Sequence, residues 1–90
     1  MQLEIQVGAD AVADVIAGVS SHPETKSLIE AARKAGLTLH PRHPGTRDPA
    51  LRTWFYADVP PGRDADVCAA LLRAHPPISA AFSKPPEALP

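Results

Sequence analysis

The chain has a single cysteine and no long apolar run, and both absences exclude classes of protein. Cys68 alone can form neither an internal disulfide nor a cysteine metal cluster, and its place in an apolar helical pattern predicts a small buried side chain. The opening residues, MQLEIQVGAD, lack the basic region of a signal peptide and the sustained apolar stretch of a membrane anchor. We therefore expect a cytoplasmic protein with no membrane association.

Aromatic residues and net charge are also scarce. One Trp, one Tyr and two Phe are the only aromatic residues, so the core of a 90-residue domain must come mainly from aliphatic side chains. A formal net charge of −1 gives no general attraction to nucleic acid or to an anionic membrane. Positive charge is nevertheless concentrated in the segment 33–52, where basic residues outnumber acidic ones.

Alternation and helical spacing predict the element order strand, helical region, strand, strand, helix, strand. The predicted elements are strands at 2–7, 37–40, 53–59 and 78–83, and helices at 9–19, 23–35 and 64–75. This order is that of the split βαβ or ferredoxin-like sandwich, an α+β fold with helices on one face of a four-stranded antiparallel sheet. We assign 1–84 to a single ferredoxin-like domain and 85–90 to an extended, proline-rich C-terminal tail.

The sheet face without helices is the expected functional surface. If Phe55 and Phe82 face the helices, strand alternation puts Trp54, Tyr56 and Ala81 on the open face. A partly apolar patch of this kind is typical of a partner-binding surface. The alternative is that the two aromatic side chains only cover the sheet edge or contact the preceding loop.

The helix at 64–75 is expected to begin at Asp64, whose carboxylate suits an N-cap. Its apolar spacing predicts that Val67 and Leu71 face the core, together with Cys68 or Leu72.

No pattern in the sequence predicts catalysis, a metal or a cofactor. His40 and His43 span a proline and a loop, and no carboxylate or cysteine stands at a familiar ligand spacing from them. The serines are not accompanied by a nucleophile elbow or by an oxyanion glycine pattern. We therefore expect a protein that is not an enzyme and that binds no cofactor and no metal.

Single-stranded RNA is one alternative partner, because open-face aromatics beside a basic segment are how RNA-recognition modules stack bases. The aromatic strand here lacks the glycine of the RNA-binding strand motif. The first strand offers Gln2, Glu4 and Gln6 in place of a second aromatic residue. These features argue against nucleic acid.

The second half of the chain, 48–90, carries an ordered series of motifs. An aromatic strand ends in Val-Pro, and an alanine- and leucine-rich helix, a proline-containing turn, the strand ISAAF and a lysine- and proline-rich segment follow it. The series is carried by Trp54, Phe55, Tyr56, Val59, Pro60, Leu71, Leu72, Ile78, Ala80, Ala81, Phe82, Lys84, Pro85 and Pro86. This order resembles that of the propeptides of bacterial subtilisin-like serine proteases. The helical segment 9–19 and Pro77, where a glycine is usual, depart from that pattern.

The resemblance implies a ferredoxin-like propeptide that lays its open sheet face on the protease while its C-terminal segment enters the active-site cleft as product. Pro85 and Pro86 favour an extended tail before binding, which lowers the cost of ordering it. The implied function is a standalone inhibitor or folding chaperone of a subtilisin-like serine protease, monomeric when free. The implied contact residues are Trp54, Tyr56, Ala81, Lys84, Pro85, Pro86, Glu87, Ala88, Leu89 and Pro90. The remaining alternative is a ferredoxin-like adaptor that recognises a peptide or precursor by its sheet edge.

Overall fold

A computed structural model describes residues 1–84 of the chain, and four strands and four α-helices lie within that range. In chain order the elements are β1 (Gln2–Val7), a 3₁₀ turn (Ala9–Ala11), α1 (Val12–Ala17), α2 (Pro23–Lys34), β2 (His40–Pro41), α3 (Pro49–Arg52), β3 (Trp54–Asp58), α4 (Ala65–Arg73) and β4 (Ile78–Lys84). The predicted strand at 37–40 is thus reduced to two residues. The predicted tail at 85–90 lies outside the described residues.

The strands form one sheet in the order β2-β3-β1-β4, and each neighbouring pair is antiparallel. The prediction of an α+β protein with a four-stranded antiparallel sheet is confirmed. Leu3, Ile5 and Val7 of β1 face the helices with almost no exposed surface. In register with Ile5 lie Phe55 on one side and Ala81 on the other, so the centre of the core is one row across three strands.

The α4 helix begins as predicted but buries a different stripe. The side chain of Asp64 accepts hydrogen bonds from the backbone N–H groups of Asp66 and Val67, at 2.8 and 3.1 Å, which caps the helix. Its buried residues are Ala65, Cys68, Ala69 and Leu72. The prediction that Cys68 is buried is confirmed, but Val67 and Leu71 are 63% and 41% exposed and the prediction that they face the core is wrong.

The reason is the small size of the competing stripe. Alanine and cysteine at helical spacing let the α4 backbone approach the sheet closely, and Leu72 fills the remaining space with no exposed surface. Turning Val67 and Leu71 inward would instead have required a wider gap between the helix and the sheet.

A bulge in β4 reverses the predicted faces of that strand. Gln6 of β1 is opposite Ala80, but Val7 is opposite Ile78, so Ser79 is an extra residue on the β4 side. Beyond the bulge the alternation is shifted by one residue. Ala81 therefore faces the core with 3% of its surface exposed, and Phe82 faces away from the helices with 47% exposed. The predictions that Ala81 lies on the open face and Phe82 in the core are both wrong.

Candidate functional site on the open sheet face

The sheet face that points away from the core is the candidate site, and we call it the open face. Strand register places a residue from each of the three longer strands in every row across it. The rows contain Trp54, Gln6 and Ala80 in one case and Tyr56, Glu4 and Phe82 in the next. His40 of β2 extends the second row because it lies opposite Tyr56.

One half of the open face is apolar. The rings of Trp54 and Phe82 lie 6.4 Å apart between centroids, at an interplanar angle of 73°, which is an edge-to-face contact across β1. Trp54 is half-buried and Phe82 is exposed, and Ala80 lies beside them without filling the space above the sheet. We call these three residues the apolar patch. A side chain that docks on it would bury aromatic surface that water now contacts.

The other half of the open face is polar and internally paired. Arg42, which directly follows β2, forms an ion pair with Glu4 and donates a hydrogen bond to the side-chain oxygen of Gln2 at 3.3 Å. Its guanidinium lies 4.4 Å from the ring centroid of Tyr56. The ring centroids of His40 and Tyr56 are 5.2 Å apart. Glu4 is only 8% exposed, so Arg42 both covers and neutralises a nearly buried carboxylate.

Backbone and side-chain hydrogen bonds fix the position of each half. The backbone N–H of Arg42 donates to the Trp54 carbonyl at 3.0 Å, which attaches the loop after β2 to β3. The Thr53 hydroxyl donates to the Ala50 carbonyl at 2.7 Å and accepts from the Gln6 side chain at 3.2 Å. Asp48 caps α3 by accepting from the Ala50 N–H at 2.9 Å. The short helix α3 thus sets where β3 starts and where Trp54 stands.

The structure tests the placement of four of the ten predicted contact residues. Trp54 and Tyr56 lie on the open face, as predicted, and both are half-buried. Ala81 lies on the opposite, buried face, because the β4 bulge shifts the alternation. Lys84 is the last residue of β4 and is opposite Gln2. The other six predicted contact residues, Pro85, Pro86, Glu87, Ala88, Leu89 and Pro90, lie outside the described residues.

The sequence reasoning did not place Phe82 or Arg42 on the open face. Phe82 was assigned to the core because nothing in the sequence marks the bulge before it. Arg42 was treated only as part of a basic segment, and its pairing with Glu4 joins positions 38 residues apart. The strand β1 has one buried face and a single acidic residue at its centre, and this was the one signal that could have suggested a basic partner.

We expect Arg42→Ala to lower the free energy of unfolding by about 1–2 kcal/mol, because it leaves the Glu4 carboxylate nearly buried without its cation. Arg47→Ala is the matched control, since it removes the same charge from an exposed loop position. Urea unfolding followed by tryptophan fluorescence measures both. Equal stability of the two variants would show that Glu4 does not need Arg42.

Neither a metal-binding cluster nor a membrane-spanning helix occurs in the described part of the chain. Between residues 1 and 84 no group of three or more His, Cys, Asp or Glu side chains could hold a metal ion. None of the helices in the same range is both long enough and apolar enough to span a bilayer.

No family model, no curated protein and no solved structure matches the chain.

Proposed function

We propose that this chain is a propeptide-like inhibitor or folding chaperone of a subtilisin-like serine protease. The observation that carries the proposal is the edge-to-face pair of half-buried Trp54 and exposed Phe82 on a sheet face that no helix of residues 1–84 covers. In this proposal the strand order β2-β3-β1-β4 is that of a ferredoxin-like fold, the fold that the resemblance to the propeptides implies.

The two halves of the open face would have different tasks in the complex. The apolar patch supplies the contact that releases water and anchors the partner. The ion pair of Arg42 with Glu4 is already satisfied, so it adds little affinity but keeps the face flat and correctly oriented. The partner surface that fits is an apolar ridge with polar residues on one flank.

Inhibition and folding assistance follow from one interface. Any surface that binds the folded protease and not its unfolded chain stabilises the folded state by mass action. In the proposal the tail at 85–90 enters the substrate cleft in extended form and adds main-chain hydrogen bonds there. Docking of the open face brings the tail to the cleft at high effective concentration.

The proposal is tested with a panel of mature bacterial subtilisin-like serine proteases. Adding the 90-residue chain should inhibit the hydrolysis of a fluorogenic peptide, with inhibition complete once the chain and the protease are present in equal molar amounts. The same addition should raise the yield of active protease on dilution from denaturant. If neither hydrolysis nor refolding yield changes, the proposal is wrong.

Salt dependence separates this proposal from RNA binding. Binding through the apolar patch and main-chain groups should lose less than about threefold in affinity between 50 and 200 mM salt. Binding through several phosphate contacts would lose about 10³ or more in affinity over the same range. Isothermal titration of the protease at the two salt concentrations measures this. Tight binding of single-stranded RNA that falls steeply with salt would instead favour the nucleic-acid alternative.

The adaptor alternative uses the sheet edge in place of the face. A peptide that adds a strand to β4 needs the outward backbone groups of that strand. One of them is filled already, because the Arg73 side chain donates to the Ala81 carbonyl at 2.6 Å. This contact favours the open face over the edge as the binding surface.

A further inference from the structure

The two edges of the sheet differ in how they are protected from pairing with another strand. At one edge, β2 has two residues and ends in Pro41, which has no N–H to offer. At the other edge, β4 has seven residues, and its 78–83 segment, ISAAFS, contains no charge and no proline. An edge of that length and composition is a template for strand addition unless something blocks it.

Hydrogen-bond parity shows which backbone groups of β4 point outward. The Val7 N–H donates to the Thr53 carbonyl at 3.0 Å, so odd-numbered residues of β1 point their backbone groups at β3. Even-numbered residues of β1 therefore bond to β4, and Ile5, which lies opposite Ala81, does not. The N–H and C=O of Ala81 point away from the sheet, and the same holds for Ser83 two residues later.

Side chains of α4 occupy this edge. Arg73 donates from Nη1 to the outward carbonyl of Ala81 at 2.6 Å. Asp66, seven residues earlier and so on the same side of the helix, accepts a hydrogen bond from the Ser83 hydroxyl at 2.9 Å. Each contact has one ionised partner, Arg73 in the first and Asp66 in the second, so both hydrogen bonds are charge-assisted.

We propose that the Arg73 side chain blocks the β4 edge and so prevents β4 from pairing with β4 of a second copy of this chain. Antiparallel pairing with Ala81 opposite Ala81 of the second copy is two-fold symmetric, so the same edge serves as both partners. This pairing requires each Ala81 carbonyl to accept a hydrogen bond from the Ala81 N–H of the other copy. The Arg73 guanidinium already donates to that carbonyl.

The second copy is the occupant that the strand sequence fits. In the symmetric register Phe82 lies opposite Ala80 of the second copy, so each exposed ring meets a small side chain and the two apolar patches become continuous. The side chains that alternate with them are small or buried, and none carries a charge that would repel its equivalent.

The test compares the self-association of three variants. Arg73→Ala removes the side chain that donates to the Ala81 carbonyl, and Arg73→Lys keeps a charged donor. Arg52→Ala is the control, because it removes one positive charge from an exposed position on α3. Sedimentation velocity from micromolar to millimolar protein should show dimers for Arg73→Ala, with a dissociation constant at least about tenfold below that of the parent protein. Arg73→Lys and Arg52→Ala should sediment like the parent.

Amide hydrogen exchange identifies the surface used. In the Arg73→Ala dimer the outward N–H groups of Ala81 and Ser83 should exchange more slowly as concentration rises, and the Trp54 amide should not change. Circular dichroism confirms that the variant is folded. Arg73→Gln, whose amide is too short to reach the carbonyl, repeats the test if Arg73→Ala does not fold.

Two outcomes would overturn the proposal. The first is an Arg73→Ala protein that stays monomeric at millimolar concentration with unchanged exchange at Ala81. The second is a dimer in which protection appears at the open face and not along β4. Neither outcome bears on protease binding, which is measured separately.

Discussion

Replacing Trp54 by alanine should weaken binding of the chain to the proposed protease partner about thirtyfold, a loss of about 2 kcal/mol. Trp54 is the largest side chain of the apolar patch, and its edge-to-face contact with Phe82 holds it in one orientation before binding. A preoriented aromatic ring loses little conformational entropy in a complex, so most of its buried area contributes to affinity. Inhibition constants for the parent and the variant measure the change.

The control for Trp54→Ala is Val67→Ala, which removes an apolar side chain that is 63% exposed on α4, behind the sheet. It should leave binding unchanged. Thermal unfolding of both variants separates a binding effect from a folding effect. If Trp54→Ala lowers the melting temperature and leaves the inhibition constant unchanged, the apolar patch belongs to the fold and is not the interface.

Deleting Leu89 and Pro90 should also raise the inhibition constant about thirtyfold or more, with no change in melting temperature. Six residues in extended form span about 19 Å, enough to reach along a substrate cleft from a sheet docked beside it. In the preferred register of the proposed complex, Leu89 would fill the primary specificity pocket and Pro90 would lie beyond the scissile position. In the other register Pro90 itself would lie against the catalytic serine.

Pro90→Ala distinguishes the two registers. The tertiary amide between Leu89 and Pro90 is a poor substrate, and an ordinary amide at that position should be cut slowly by the protease. Mass spectrometry after prolonged incubation should then show loss of the last residue from the variant only. Full inhibition by a chain truncated after Lys84 would show that the tail contributes nothing and that the open face acts alone.

The sequence was informative where one pattern dominated locally. β1 and β3 alternate without interruption, and both faces of these strands were predicted correctly. Asp64 was identified as an N-cap because a carboxylate preceded an apolar helical pattern, and its side chain does cap α4. In both cases a few adjacent residues decide the conformation.

The failures arose where distant parts of the chain decide. In α4 two apolar stripes compete within nine residues, and only the distance between helix and sheet selects the one with alanine and cysteine. In β4 the bulge lies beside the Val7–Ile78 pair, next to the hydrogen bond of the Gly8 N–H to the Pro77 carbonyl at 2.8 Å, so it involves residues about 70 positions apart. The Arg42–Glu4 pair likewise depends on where the loop after β2 returns to the sheet.

The extra residue in β4 has an evolutionary consequence. Because Ser79 is accommodated as a bulge, the exposure of Phe82 in place of Ala81 depends on that bulge and not on the identity of the two side chains. Deleting Ser79 would restore a regular ladder and leave Phe82 exposed, whereas a ladder that paired Ser79 regularly would exchange Phe82 and Ala81 between surface and core. Chains that lose the bulge but keep the residue can acquire a different partner surface in a single step, before any side chain of the face is substituted.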